Sequence, residues 1–295
     1  MSLALVYSRA LNGMNAPLVE VEAHLANGLP AFNIVGLPDT EVKESRDRVR
    51  AAIIQSGFEF PAKKITVNLA PADLPKESGR FDLPIALGIL AASGQIAPDK
   101  LNQYEFAGEL ALSGALRPVR GALAMAWQGM QSGRAFVLPG ENARQAAVMK
   151  NIAVYGAENL CKVAAHLNGV EPLAQTVYDI SQRPSENRHV PDLKDVKGQH
   201  TARLALEIAA AGGHSLLMMG PPGTGKSMLA QRLPGILPPL TDEELIEVWS
   251  LRSLLPNHRQ ELDYDKPYNS PHHTSSQVAI VGCEIQNKMK QFRNR

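Results

Sequence analysis

Cysteine is nearly absent from this chain: Cys161 and Cys283 are the only two in 295 residues, far apart and in no metal-type spacing. That excludes a disulfide framework or a cysteine-ligated zinc site and suits a reducing cytosol. Aromatic residues make up only 5%, and neither sign of charge dominates, with 30 Lys and Arg against 29 Asp and Glu. A formal charge of +1 gives no global attraction for nucleic acid, so any such contact must come from a local patch. Long hydrophobic runs are missing too. The longest apolar helix the pattern predicts, Leu83–Ala92, is too short to span a bilayer. Ser8 and Arg9 cut short the apolar start of the chain, and no basic region precedes it, which argues against a signal peptide. No repeats or low-complexity tracts occur. What remains, 44% hydrophobic and 20% charged residues, is ordinary globular composition over a length that fits two domains. The expectation is a soluble, cytoplasmic protein.

One motif stands out. Gly220-Pro221-Pro222-Gly223-Thr224-Gly225-Lys226-Ser227 fits G-x-x-x-x-G-K-[ST], the phosphate-binding loop of nucleotide triphosphatases. The apolar run Ser215–Met219 reads as a buried strand leading in, and Met228–Leu233 as a helix leading out. Glycines let backbone N–H groups close around phosphates at a helix N-terminus. Lys226 is placed to reach the β- and γ-phosphates, and the Ser227 hydroxyl to ligate Mg²⁺. The plainer reading, a glycine-rich turn with no ligand, accounts poorly for a match at every position in this context. ATP and Mg²⁺ are the cofactors expected.

A nucleotide motor also needs a strand ending in Asp or Asp-Glu to hold Mg²⁺ and position water. After Ser227 none is evident. Asp242-Glu243-Glu244 follows a proline-rich turn and opens the helix Glu243–Leu251, Asp263 and Asp265 lie in a polar loop, and the strand-like Val278–Val281 ends without an Asp. Whether the chain is an enzyme is left open at this point. His272-His273 invites a metal reading, but adjacent side chains diverge on a helix or strand, so a polar loop is the better account.

Residues 1–170 alternate strand and helix patterns. Leu18–Leu25 alternates with Val19, Val21, Ala23 and Leu25 on one face, and Ala31–Val35 is a second strand. Asp39 caps a helix to about Gln55 with Val42, Val49, Ala52 and Ile53 inward. Its other face mixes Glu41, Glu44 and Asp47 with Lys43, Arg46, Arg48 and Arg50, the pattern of a solvated surface. Then come strand Ile65–Leu69, buried helix Asp82–Ala92, and a hairpin Phe106–Leu116 turning at Ser113-Gly114. Helix Leu123–Gln131, strand Ala135–Leu138, helix Glu141–Met149, strand Ile152–Tyr155 and helix Asn159–Leu167 complete the domain. The stretch 171–191, with Pro172, Pro184 and Pro191, is linker chemistry. Residues 192–295 form the second domain, opening with Asp195–Gln199 and a helix Thr201–Ala211 whose Leu204, Ile208 and Ala211 share a face.

Asp195-Val196-Lys197-Gly198-Gln199, the helix running to Gly212-Gly213-His214, the loop Gly220–Ser227, Leu229–Leu240 and Ser270-Pro271-His272-His273-Thr274 together resemble AAA+ ATPases of the magnesium-chelatase branch. The likeness is closest to the ComM/YifB subfamily and extends over residues 1 to about 282. In that family a Lon-protease-like α/β domain precedes a P-loop AAA+ α/β domain, and the motor continues through an Asp-Glu strand (Walker B), sensors, an arginine finger and a helical lid. These are not found here, and from Cys283 the sequence departs from the family. A frameshift, or alternatively a short basic helix with Ile285, Met289 and Phe292 in register, would account for that departure. The resemblance therefore implies a C-terminally truncated member with an incomplete AAA+ domain.

Pro75–Asp82 and Gly108–Gly114 look like the Lon protease fold, whose chemistry needs a serine and a lysine. Matching those motifs puts Arg80 at the nucleophile position and Leu123 at the lysine position, so the dyad is missing. Ser78 and Lys76, two residues apart, are the one relocated pair to consider; Ser-Gly in a charged loop is more simply a turn. Asp82 is expected to cap the buried helix by accepting backbone N–H groups. Lys63, Lys64, Lys76 and Arg80 together form either a phosphate-backbone patch or a solvated edge.

The resemblance implies ATP-driven processing of branched DNA during natural transformation, by hexameric relatives, with this chain itself expected to be monomeric. A non-catalytic remnant is the alternative. A chelatase subunit would lack the Lon-like domain, and an ATP-dependent peptidase would need the absent dyad.

Overall fold

The computed structural model describes residues 2–13, 15–149, 151–178, 191–254, 264–272 and 274–276. They pack as two units. The first holds the residues up to 178 together with 249–254, and the second holds 191–248 and 264–276.

The first unit is α/β, as expected, and is built on a seven-stranded sheet. β1 (Leu3–Arg9) and β2 (Leu18–Ala26) pair antiparallel with Val6 opposite Val21. β4 (Lys64–Ala70) pairs antiparallel with β2, and β3 (Ala31–Val35) lies parallel outside β4. Beyond β1 come β5 (Tyr104–Phe106), β8 (Ala135–Pro139) and β9 (Val154–Ala157), all parallel. The order is β3-β4-β2-β1-β5-β8-β9, and only β2 runs against the rest. The period-two alternation explains the inner face: Val19, Val21, Ala23 and Leu25 on β2, and Ile65, Val67 and Leu69 on β4, are all buried.

Helix α1 (Thr40–Gln55) starts where Asp39 accepts the Val42 N–H at 2.8 Å and buries Val42, Val49, Ala52 and Ile53 completely. On its charged face Lys43, Glu44, Arg46, Asp47 and Arg50 are exposed, whereas Arg48 is drawn onto Asp82. Helix α2 (Asp82–Ala92) is buried at every position because, Asp82 apart, it is apolar all round and lies across β1 and β2. Gly88 permits that approach, since a Cβ there would stand 3.0 Å from the Ala23 methyl. The hairpin of β6 (Glu109–Leu110) and β7 (Leu116–Arg117) is shorter than its sequence suggests, because Phe106 belongs to β5 in the main sheet. Helices α3 (Ala122–Gly129) and α4 (Gly140–Ala146) pack on β8, and α5 (Leu160–Leu167) packs on β9, capped by Asn159. The ends of α3 and α4 and the start of β9 each differ by two or three residues from the expected bounds.

In the second unit α6 (His200–Gly212) and α7 (Lys226–Ala230) are helical, and α8 (Asp242–Ser253) begins there. Thr241 and Glu244 exchange side-chain bonds with each other's backbone N–H at 3.2 and 3.0 Å, a capping box for α8. Two expectations fail here. Leu204 and Ile208 are more than half exposed, and the buried face of α6 is Leu206, Ala209 and Ala210. Leu206 sits in a small core with Leu193, Val196 and Leu229, so those partners select that face. The run Ser215–Met219 is not a strand: Leu217 and Met219 are 82% and 85% exposed. A strand exists only through ladder bonds to a neighbour, and the described residues of this unit offer none. The expected strand Val278–Val281 lies outside the described residues, as does most of the 171–191 stretch. Among the described residues no helix is long and apolar enough to cross a membrane.

Candidate nucleotide site

The eight motif residues form one turn closing onto α7. Gly220, Gly223 and Gly225 take φ of +155°, +81° and +83°, which L side chains rarely adopt. Nothing lies within 4 Å of where a Cβ on Gly223 would stand. Successive residues of this kind turn backbone N–H groups to one side and make an anion-binding concavity. Thr224 Oγ1 donates to Pro221 O at 2.9 Å and closes the turn. The Lys226 ammonium is folded into it, donating to Gly220 O at 2.8 Å, Pro221 O at 2.7 Å and Thr224 Oγ1 at 3.2 Å. Ser227 is exposed one residue further on, at the start of α7.

Below the loop, Leu229 anchors α7 in the small core with Leu193, Val196 and Leu206. Arg232 Nε reaches back to Asp192 O at 3.0 Å and pins the end of α7 to the start of the unit. Gln199, just before α6, donates from Nε2 to Thr224 O at 3.1 Å. Sequence reasoning placed Gln199 in a family motif without a role; its spacing from the loop gives no local signal of contact. His272 is exposed with Nδ1 2.7 Å from Thr274 Oγ1, and His273 lies outside the described residues.

In the first unit the four basic residues read from the sequence form neither a shared phosphate-backbone patch nor a wholly solvated edge. Lys63 and Lys64 are exposed, but Lys76 is wholly buried, donating to Pro71 O, and Arg80 is 4% exposed. Burial of the Lys76 amine pushes its pKa below the ordinary lysine value. The aliphatic stems of these two residues, invisible to a charge count, carried them inward. The structure also ties Ser78 and Lys76 to different partners, because Ser78 Oγ accepts from Arg80 Nε at 2.8 Å. Arg80 NH1 in turn reaches the Met125 sulfur at 3.8 Å on α3, the helix that carries Leu123. The two positions matched to the Lon dyad thus lie on neighbouring elements, occupied by an arginine and a leucine.

Asp82 is not a cap. Phe81 precedes α2 with no side-chain bond, and the Asp82 carboxylate accepts from Ser45 Oγ, from Arg48 Nε at 2.8 Å and from the Leu110 N–H at 3.2 Å. It joins α1, α2 and β6 as a fully buried hub. A second ionic group escaped sequence reasoning entirely. Arg9 on β1 grips Glu105 on β5 at 2.5 and 2.9 Å, with side chains 7% and 1% exposed.

Comparison with known proteins matches two stretches of the chain. A family described as subunit ChlI of Mg-chelatase matches residues 21–142, and magnesium chelatase, subunit ChlI, matches residues 192–291. The chain is 50% identical over 283 residues to the protein YifB of Salmonella typhimurium, spanning 96% of this chain and 55% of that one. Identity to the competence protein ComM of Haemophilus influenzae is 50% over 288 residues, 96% of this chain and 56% of the relative. YifB of Escherichia coli is 49% identical over 284 residues, with 96% and 55% covered. The chain spans about half the length of these curated relatives. Fold, loop and matches together define a magnesium-chelatase-type, AAA+-like protein. The chain belongs to the ComM/YifB-like family.

Proposed function

We propose that this chain binds Mg-ATP in the Gly220–Ser227 loop, as a ComM/YifB-type AAA+ subunit serving ATP-driven DNA processing. The observation that carries the reading is the position of the Lys226 ammonium, on two loop carbonyls at 2.8 and 2.7 Å inside the turn. A cation held there by neutral oxygens stands where the charge of a polyphosphate is to be met, and charged phosphate oxygens are the stronger acceptors. The residues present fit the group. Gly223 leaves open space over the loop, Lys226 would hold the terminal phosphates, and the exposed Ser227 hydroxyl would ligate the Mg²⁺. Bound Mg-ATP supplies the phosphoanhydride that such proteins couple to motion.

The DNA part of the reading comes from the family resemblance alone; the Haemophilus relative is named a competence protein. Within this chain Lys63 and Lys64 are the exposed members of the basic set read from the sequence. The test is a Mg-ATP titration of the full chain beside Lys226→Ala. Removing a charged donor weakens binding by about tenfold to a hundredfold. Equal affinity of the two proteins would end the reading. Phosphate release, measured on the same samples, separates a turning motor from a subunit that binds without turnover. DNA affinity should fall steeply between about 50 and 200 mM salt, and binding indifferent to salt would remove the DNA role.

A further inference from the structure

We propose that Gln199 is a positioning residue of the nucleotide loop, pinning the Thr224–Gly225 peptide so that its N–H faces the phosphate position. The proposal rests on the reading of Gly220–Ser227 as an ATP site and adds to it a residue from outside the motif.

Three observations converge on Gln199. Its backbone lies at φ 49° and ψ 43°, left-handed for a residue that is not glycine, directly after Gly198 at φ +69°. Such conformers persist where the surroundings hold them, and they concentrate at functional sites. Its side chain donates to Thr224 O at 3.1 Å. A Cβ added to Gly225 would stand 3.1 Å from the same Gln199 Nε2, so the carboxamide lies against the bare Cα of the last loop glycine.

The geometry gives this contact a consequence. A trans peptide is planar, with its carbonyl and N–H pointing to opposite sides. Holding the Thr224 carbonyl toward Gln199 therefore turns the Gly225 N–H the other way, into the concavity that Lys226 closes. The turn is fixed on its other side by Thr224 Oγ1 on Pro221 O. Gln199 itself is held at the head of α6, where the Arg203 N–H bonds Gln199 O at 2.9 Å. Helix α6 shares a core with α7 through Leu206 and Leu229, which sets the spacing between Gln199 and the loop.

The experiment titrates the full chain with Mg-ATP and with Mg-GTP, comparing Gln199→Gly, Gln199→Met and Gln199→His. Glycine keeps the backbone conformation without the donor, methionine keeps the length without the donor, and histidine keeps an N–H donor at similar reach and tolerates the left-handed region. Glycine and methionine should weaken both nucleotides about tenfold and to the same extent, with unchanged melting temperature, and histidine should restore most of the loss. A loss confined to ATP would assign Gln199 to the base and overturn the proposal. So would wild-type affinity in the glycine and methionine variants, or failure of histidine to rescue. Lys226→Ala is run alongside. If that variant also binds as wild type, the ATP site itself is wrong; if it alone is weakened, only the role of Gln199 falls.

Discussion

Removing the Glu105 carboxylate should damage this protein more than removing the whole ion pair. Arg9 Nε and NH2 lie 2.5 and 2.9 Å from the two Glu105 oxygens, and NH1 donates to Ala16 O at 2.8 Å. In Glu105→Leu the guanidinium would stay under a tenth exposed with one carbonyl as partner. An uncompensated buried charge of this kind costs about 3–5 kcal/mol. For a domain of this size that corresponds to a melting temperature lower by about 6–20 °C. In the double variant Arg9→Met, Glu105→Leu no charge is stranded, and packed apolar side chains replace a desolvated pair, so stability should return to within about 1–2 kcal/mol of wild type. Arg134, 3.6 Å from Glu105, tolerates the change because it also stacks 3.8 Å from the Tyr7 ring centroid and donates to Asn102 O at 3.1 Å. Urea unfolding of the wild type, both single variants and the double variant completes the cycle. Two equal penalties that simply add in the double variant would refute the argument, since additivity means that the pair is not coupled.

Two further outcomes follow from the first unit. Asp39→Ala should lower stability by about 1 kcal/mol through the orphaned Val42 N–H, whereas Asp39→Asn stays close to wild type; urea midpoints decide, and equal losses would deny the cap. His166 is buried with Nδ1 accepting the Leu173 N–H at 2.9 Å, and burial, followed by Lys100, pushes its pKa below the ordinary imidazole value. Tyr104 and Tyr155 flank the ring at 5.2 and 5.5 Å. The unfolded chain then binds a proton below about pH 6.5 that the folded chain refuses, so stability present above that pH is lost as pH falls toward the lowered folded value. The slope from this group stays below about 1.4 kcal/mol per pH unit, and His166→Phe should remove its share of the decline; an unchanged slope would assign the decline elsewhere.

The turn at Gly220–Ser227 was legible because its geometry is local. Three glycines at fixed spacing permit the positive φ values, and the lysine and serine follow within two residues, so no distant element has to be known. The cap at Asp39 and the inward face of α1 were legible for the same reason. Strand β1 was not, because Leu3–Arg9 carries its alternation for only seven residues and reads as a brief apolar start until β2 and β5 supply ladders on both sides.

Helix α6 shows where periodicity stops being enough. Leu204 and Ile208 make one apolar stripe, and Leu206, Ala209 and Ala210 make another; a period of 3.6 admits both. The second is buried because Leu193, Val196 and Leu229 lie against it, and none of them is within one helical turn in sequence. Asp82 makes the same point for a charge. An acidic residue opening a helix is locally a cap, and only the fold brings Arg48, Ser45 and the Leu110 N–H within reach. Arg80 and Lys76 invert the usual inference about basic residues: a count of charges placed them on a surface, and packing put them in the interior. Arg80 and Leu123, the positions that the resemblance aligns with a protease dyad, are both buried in the packing of the first unit. Arg80 there is bonded to Ser78 and Met125, which gives that loop a structural occupation in place of a nucleophile.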